Sequence, residues 1–284
     1  IEDLWSVRIE STDDADGESN KAYVERLWVV GSDRDATTGE AEQGAHISFC
    51  EMTIADPSFP GLDVDCSDQL LDSDSGDPES DGTTPKAVSG TSNGGGLDDG
   101  SFMVIAADLA AGGDSFYNDV FENASGDAPL WTNTFYDTGA QAQVIRDTAV
   151  ASSNASLNVG SNGHLRARDE DEFGPWGFVF DLIATQGQRD FTGVWVSDEA
   201  WIVSATRTRP NGNIDIELWV CPVDADITSN GNWTRHTLEG GSDDSALQLN
   251  DVWGDPNSGS VYAVGAGVSG QSGARDAVMF VRNP

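Results

Sequence analysis

Three aspartates stand where acid–base chemistry would want them. Asp3, Asp147 and Asp251 each precede a short β-prone run, Leu4-Trp5-Ser6-Val7, Thr148-Ala149-Val150 or Val252-Trp253. Carboxyl groups held at a defined separation, one with its pKa raised, are what glycoside hydrolysis requires. The same oxygens suit a hard cation, because calcium takes roughly six to eight oxygen ligands. A purely structural task is open to them as well, since an aspartate before a strand accepts N–H bonds from the adjoining backbone. At the corresponding places of two other segments the residue reads as Lys86 or Gly193.

Other acidic runs invite a metal reading. Asp13, Asp14, Asp16 and Glu18 surround Gly17, and Asp33 and Asp35 lie a little further on, with Glu40 beyond. They supply oxygens at short intervals with a glycine for the bend, but not the full calcium loop with its terminal glutamate. Calcium is therefore the one cofactor the sequence suggests, and none is required. The cysteines Cys50, Cys66 and Cys221 form no C-x-x-C pair, and His46, His164 and His236 fall in different segments, so neither a thiolate zinc site nor a histidine metal site is expected. No phosphate-cradling Gly-x-x-x-x-Gly-Lys loop or Gly-x-Ser-x-Gly elbow occurs. Most tryptophans (Trp5, Trp28, Trp195, Trp201, Trp219, Trp253) recur at equivalent positions, as packing residues do. Trp176, between Gly174-Pro175 and Gly177, breaks that pattern and is the candidate for stacking on a sugar face.

Charge narrows the partners. The 284 residues include 49 acidic and 14 basic side chains, a formal net charge of −35. Phosphate backbones and anionic membrane surfaces need clustered Lys and Arg, so nucleic acid is excluded as a partner. Such a surface keeps a chain soluble in saline surroundings and attracts cationic partners. No apolar run approaches the ~20 residues of a membrane span. No signal segment opens the chain, and Ile1 reads as the start of a processed or trimmed protein. An extracellular or cell-surface location is the expectation.

The elements that must position these residues are strands. Short runs rich in Val, Ile, Trp and Phe alternate with Gly, Asp, Asn and Ser clusters, and helical periodicity is nearly absent. The clearest specimen is Asn250-Asp251-Val252-Trp253, a turn at Asp255-Pro256-Asn257-Ser258-Gly259, then Val261-Tyr262-Ala263-Val264-Gly265. Weaker copies open at Asp3, near Lys86, at Ile145 and at Gly193, so the chain divides into five units of three or four antiparallel strands. The last unit runs out after Ala277–Val281, leaving an edge for a strand partner. The charged run 166–172 reads as an exposed turn. The acidic, low-complexity stretch at about 63–100 reads as a surface loop within a single domain, 1–284.

The Asp-Val-Trp…Val-Tyr-Ala-Val-Gly pairing at 251–265 resembles the repeats of bacterial secreted and surface β-propellers, of kelch and sialidase type. Ser229-Asn230-Gly231-Asn232-Trp233 is similar to a degenerate sialidase Asp-box, without its Asp and the Thr before Trp. The resemblance implies a propeller, and the five units make it all-β and five-bladed, with a six-bladed ring holding a cryptic blade, or a β-sandwich, as the alternatives. In five-bladed glycosidases three acids near the axis serve as nucleophile or base, acid and helper, which would fall here to Asp3, Asp147 and Asp251. Propellers host many activities, so fold alone assigns none. The leading expectation is a non-catalytic extracellular module that binds a glycan or a protein. The alternatives are a glycoside hydrolase or polysaccharide lyase using those carboxylates, and a structural subunit of a surface assembly.

Overall fold

The computed structural model describes residues 3–10, 23–34, 41–54, 62–70, 83–92, 101–109, 115–122, 130–137, 145–152, 155–168, 177–178, 188–238, 248–255, 259–268 and 275–282. Among them, strands dominate and helix is confined to single 3-10 turns. No helix of the described residues is long and apolar enough to cross a membrane. The contacts group the chain into two compact units, Ile1–Gly139 and Ala140–Pro284.

The first unit holds two four-stranded antiparallel sheets, each a simple meander. One is built from β1 (Asp3–Glu10), β2 (Tyr23–Arg34), β3 (Ala41–Ile54) and β4 (Leu62–Leu70). The other is built from β5 (Thr83–Ser92), β6 (Ser101–Leu109), β7 (Ser115–Glu122) and β8 (Leu130–Asp137). The β5 strand lies against β1, β2 and β3. One of these strands, β4, falls where the sequence suggested a loop at about 63–100, while β5 contains the strand expected near Lys86. Alternation of Leu62, Val64 and Cys66 lets β4 pair along β3, with Cys66 directly opposite Cys50. Ladder hydrogen bonds and period-two side chains outweigh an acidic composition there.

The second unit holds three sheets. Strands β9 (Ile145–Ser152), β10 (Ala155–Gly160), β11 (Leu165–Arg168) and β12 (Gly177–Phe178) form the first. Strands β13 (Gln188–Val196), β14 (Ala200–Thr208), β15 (Ile214–Pro222) and β16 (Thr234–Leu238) form the second. Strands β17 (Gln248–Asp255), β18 (Ser260–Val268) and β19 (Arg275–Arg282) form the third, which has three strands. The hairpins close on glycines that take positive φ: Gly212 (82°), whose N–H donates to the Arg209 carbonyl, and Gly259 (66°), whose N–H donates to that of Asp255. Only glycine holds such dihedrals without strain. Arg166 is buried in β11, not exposed in a turn as the charged run suggested. Its neighbours Leu165 and Ala167 face the core and carry the strand inward with them.

Two layers of core separate these three sheets. Ala149, Leu157, Val159 and Leu165 meet Phe191, Val194, Trp201, Val203 and Trp219 on one face of β13–β16. On its other face Ile202, Ile216 and Leu218 meet Leu249, Val252, Val261 and Ala263 of β17–β18. At ~25 cal/mol per Å² of apolar area removed from water, such two-sided burial makes the middle sheet the best-anchored element of this unit.

Candidate functional site

The opening strands share an irregularity that fixes how the units correspond. In β5, β9, β13 and β17 the pairing slips by one residue, at Lys86, Arg146, Thr192 and Asn250. A bulge of this kind places one extra residue against the partner strand. It brings Ala87, Asp147, Gly193 and Asp251 into register with one another. Lys86 is therefore not the counterpart of Asp147, as the sequence suggested; it is one place earlier, because the extra residue cannot be counted without the pairing.

At that position the structure brings Asp147 and Asp251 to the same short segment of β13. The Asp147 carboxylate accepts the Thr148 N–H through Oδ1 at 2.8 Å and, across to the next sheet, the Val194 N–H through Oδ2 at 2.7 Å. Asp251 Oδ1 accepts its neighbour's Val252 N–H at 2.7 Å. The backbone of Asp251 and Val252 crowds Gly193, where any Cβ would collide with the Asp251 carboxylate. Hydrogen bonds with a charged partner are the stronger class, each worth about 1.5–3 kcal/mol net. Asp147 thereby ties β9 to β13. The glycine in β13 is what lets β17 come close.

Asp3 lies in β1 and Asp33 in β2. Asp13, Asp14, Asp16, Glu18, Asp35 and Trp176 lie outside the described residues. Among the described residues no group of three or more His, Cys, Asp and Glu is arranged to hold a metal ion. The Ser229–Trp233 segment forms a 3-10 turn that buries Trp233, whose Nε1–H donates to the Ile227 carbonyl at 2.9 Å.

Sequence reasoning missed a buried charge centre. Glu217 is fully buried in β15. Its Oε2 accepts Nε–H of Arg189 at 2.9 Å and Nε1–H of Trp219 at 3.0 Å. Arg235 and Arg207 stand 3.6 and 3.9 Å from Oε1, and Arg189 lies over the Trp219 ring. The available signal was the scarcity of base: Arg189 and Arg207, directly paired across β13 and β14, are two of only 14 cations in the chain. In the same unit His164 is buried, and burial, then the Arg166 charge, lower its pKa from 6.5 to about 3. Both groups belong to the core between sheets.

The third sheet is different in kind. Its face away from β13–β16 leaves large apolar groups in water: Trp253 is 57% exposed, Met279 63%, Val281 47% and Val264 42%. Trp253 stacks on Tyr262, ring centroids 5.5 Å apart. At the sheet's outer side a groove of about 350 Å³ is lined by Ile202, Leu218, Val220, Leu238, Val261 and Val281, with His236 and Thr237 at its rim.

No protein-family model and no curated protein matches the sequence. Among solved structures, the WD40 domain of SCAP from fission yeast is similar at 10% identity and a TM-score of 0.37, over 99% of this chain. This chain spans 64% of that one. YCF48 bound to D1 peptide is similar at 11% identity and a TM-score of 0.35, over 96% of this chain and 85% of that one.

Proposed function

We propose that the sheets are blades of a propeller-type scaffold, and that the protein is a non-catalytic interaction module, outside the cell or on its surface, which binds a protein ligand through its last blade. One observation carries this reading: the exposed face of Trp253, Tyr262, Val264, Met279 and Val281. Contiguous apolar surface of this sort marks interaction sites, and tryptophan and tyrosine anchor them. Asp147 and Asp251 serve in this reading as ties between strands, and no cofactor is needed. Cross-linking from a Met279→Cys variant, followed by mass spectrometry, tests it. A discrete protein adduct that Trp253→Ala removes supports the assignment; hydrolysis of a polysaccharide that Asp147→Asn and Asp251→Asn abolish overturns it.

A glycan ligand is the second reading, favoured by the stacked Trp253–Tyr262 pair alone. Flat aromatic faces receive the apolar face of a sugar ring. A glycan array separates the two: binding lost in Trp253→Ala, with no protein adduct, selects the sugar.

A further inference from the structure

The ladder between β3 and β4 runs through nine directly opposed pairs, from Ile54 opposite Leu62 to His46 opposite Leu70. Cys50 and Cys66 are its central pair. In an antiparallel ladder, opposed Cα atoms stand ~4.5 or ~5.5 Å apart, the longer distance in hydrogen-bonded pairs. A disulfide spans Cα separations of roughly 4.4–6.8 Å. Either kind of pair therefore meets the requirement without a shift of the backbone. Cys221 lies in the second compact unit, fully buried in the core against β13–β16.

Strand β4 also gains from a tie. It carries Asp63, Asp65 and Asp68, a residue type depleted in strands. The pair beside the cysteines sets Glu51 opposite Asp65, and like charges directly opposed weaken a ladder. In the order β1–β2–β3–β4 this strand stands at the end of its sheet.

We propose that Cys50 and Cys66 form a disulfide that staples β4 to β3. The oxidant is a small-molecule disulfide such as oxidised glutathione. One cysteine thiolate attacks it and releases one glutathione thiol. The second cysteine then displaces the other glutathione from the mixed disulfide. The two cysteines lose two protons and two electrons as their S–S bond forms, and the oxidant's S–S bond becomes two thiols. Such bonds form and persist in oxidising surroundings, which suits a protein outside the cell. The proposal does not depend on the last blade binding anything.

Trypsin leaves both cysteines on one fragment, because no Lys or Arg lies between Arg34 and Lys86. The test therefore cleaves before Asp56 and Asp63. The full chain is folded in reduced and oxidised glutathione and denatured, and its thiols are alkylated before cleavage. The expected result is that the Cys50 and Cys66 peptides stay joined until a reductant parts them, with Cys221 alone alkylated. Alkylation of Cys50 and Cys66 before reduction would overturn the proposal. So would a bond from either to Cys221, to glutathione or to a second chain. The staple is read separately. Closing a loop of about 15 residues restricts the unfolded chain, so reduction should lower the melting temperature by about 5–10 °C. Amide exchange in β4 should quicken about tenfold or more on reduction. The double variant Cys50→Ser, Cys66→Ser should melt like the reduced parent, with or without reductant. A bond whose reduction leaves both melting and β4 exchange unchanged would overturn its role as a staple. The Met279→Cys cross-link enters none of these measurements, so the two proposals fail separately.

Discussion

Two neighbouring sheets carry the same row of residues and treat it in opposite ways. In β13–β15 the row is Trp195, Ile202 and Val220; in β17–β19 it is Trp253, Tyr262 and Val281. Ile202 is 4% exposed, and the Trp195 indole lies against Gly254 of the next sheet, where no side chain beyond hydrogen would fit. Trp253, in the equivalent place, is 57% exposed. A residue type that builds a core in one sheet presents a surface in the next. The difference comes from the neighbour: β13–β16 has a sheet on both faces, and β17–β19 is buried on the face turned to β13–β16.

The sharpest way to break this comparison is to remove the charge centre that only the covered sheet needs. Glu217→Ala should cost about 3–5 kcal/mol, because it leaves Arg189 without its buried counter-charge. Denaturant unfolding measures it, and a loss below about 1 kcal/mol would mean that the centre is open to water. The second test uses acid. His164 stays neutral in the fold down to about pH 3, whereas the unfolded chain takes a proton below pH 6.5. Stability is therefore undiminished above pH 6.5 and falls towards pH 3, by at most about 1.4 kcal/mol per pH unit from this group. Unfolding of His164→Gln across the same range should show a shallower decline than the parent. Parallel curves would refute the assignment.

Smaller effects probe the tryptophan row itself. Gly254→Ala should destabilise by about 1–3 kcal/mol by forcing a methyl into the Trp195 ring, and Trp195→Ala should relieve part of that loss in a double-mutant cycle. Simple additivity would separate the two residues. Trp253→Ala should change stability by about 1 kcal/mol or less, the scale of its stack on Tyr262. Acrylamide should quench Trp253 far more readily than Trp195, read in variants that lack one or the other. Equal quenching would erase the contrast between the sheets.

Strand positions were readable because alternation of apolar residues and the glycines at turns act locally. Ile214–Val220 and Val261–Gly265 both emerged from the sequence in this way. Three features did not. The one-residue bulge at Lys86 is a property of pairing with β6, so sequence alignment placed Lys86 opposite Asp147 in error. The strand β4 was hidden by its acidic residues because its stability comes from β3. The inward turn of Glu217 depends on arginines contributed by three different strands.

The amino-acid sequence by itself determined a chain of antiparallel β meanders and its acidity. These follow from short-range preferences: side-chain shape on a pleated strand, glycine at positive φ, and the count of charges. The tertiary structure decided which of two equivalent tryptophans is covered, what the aspartates touch, and where an apolar groove lies. Those depend on which strands become neighbours, and residues far apart in the chain meet only once that packing exists.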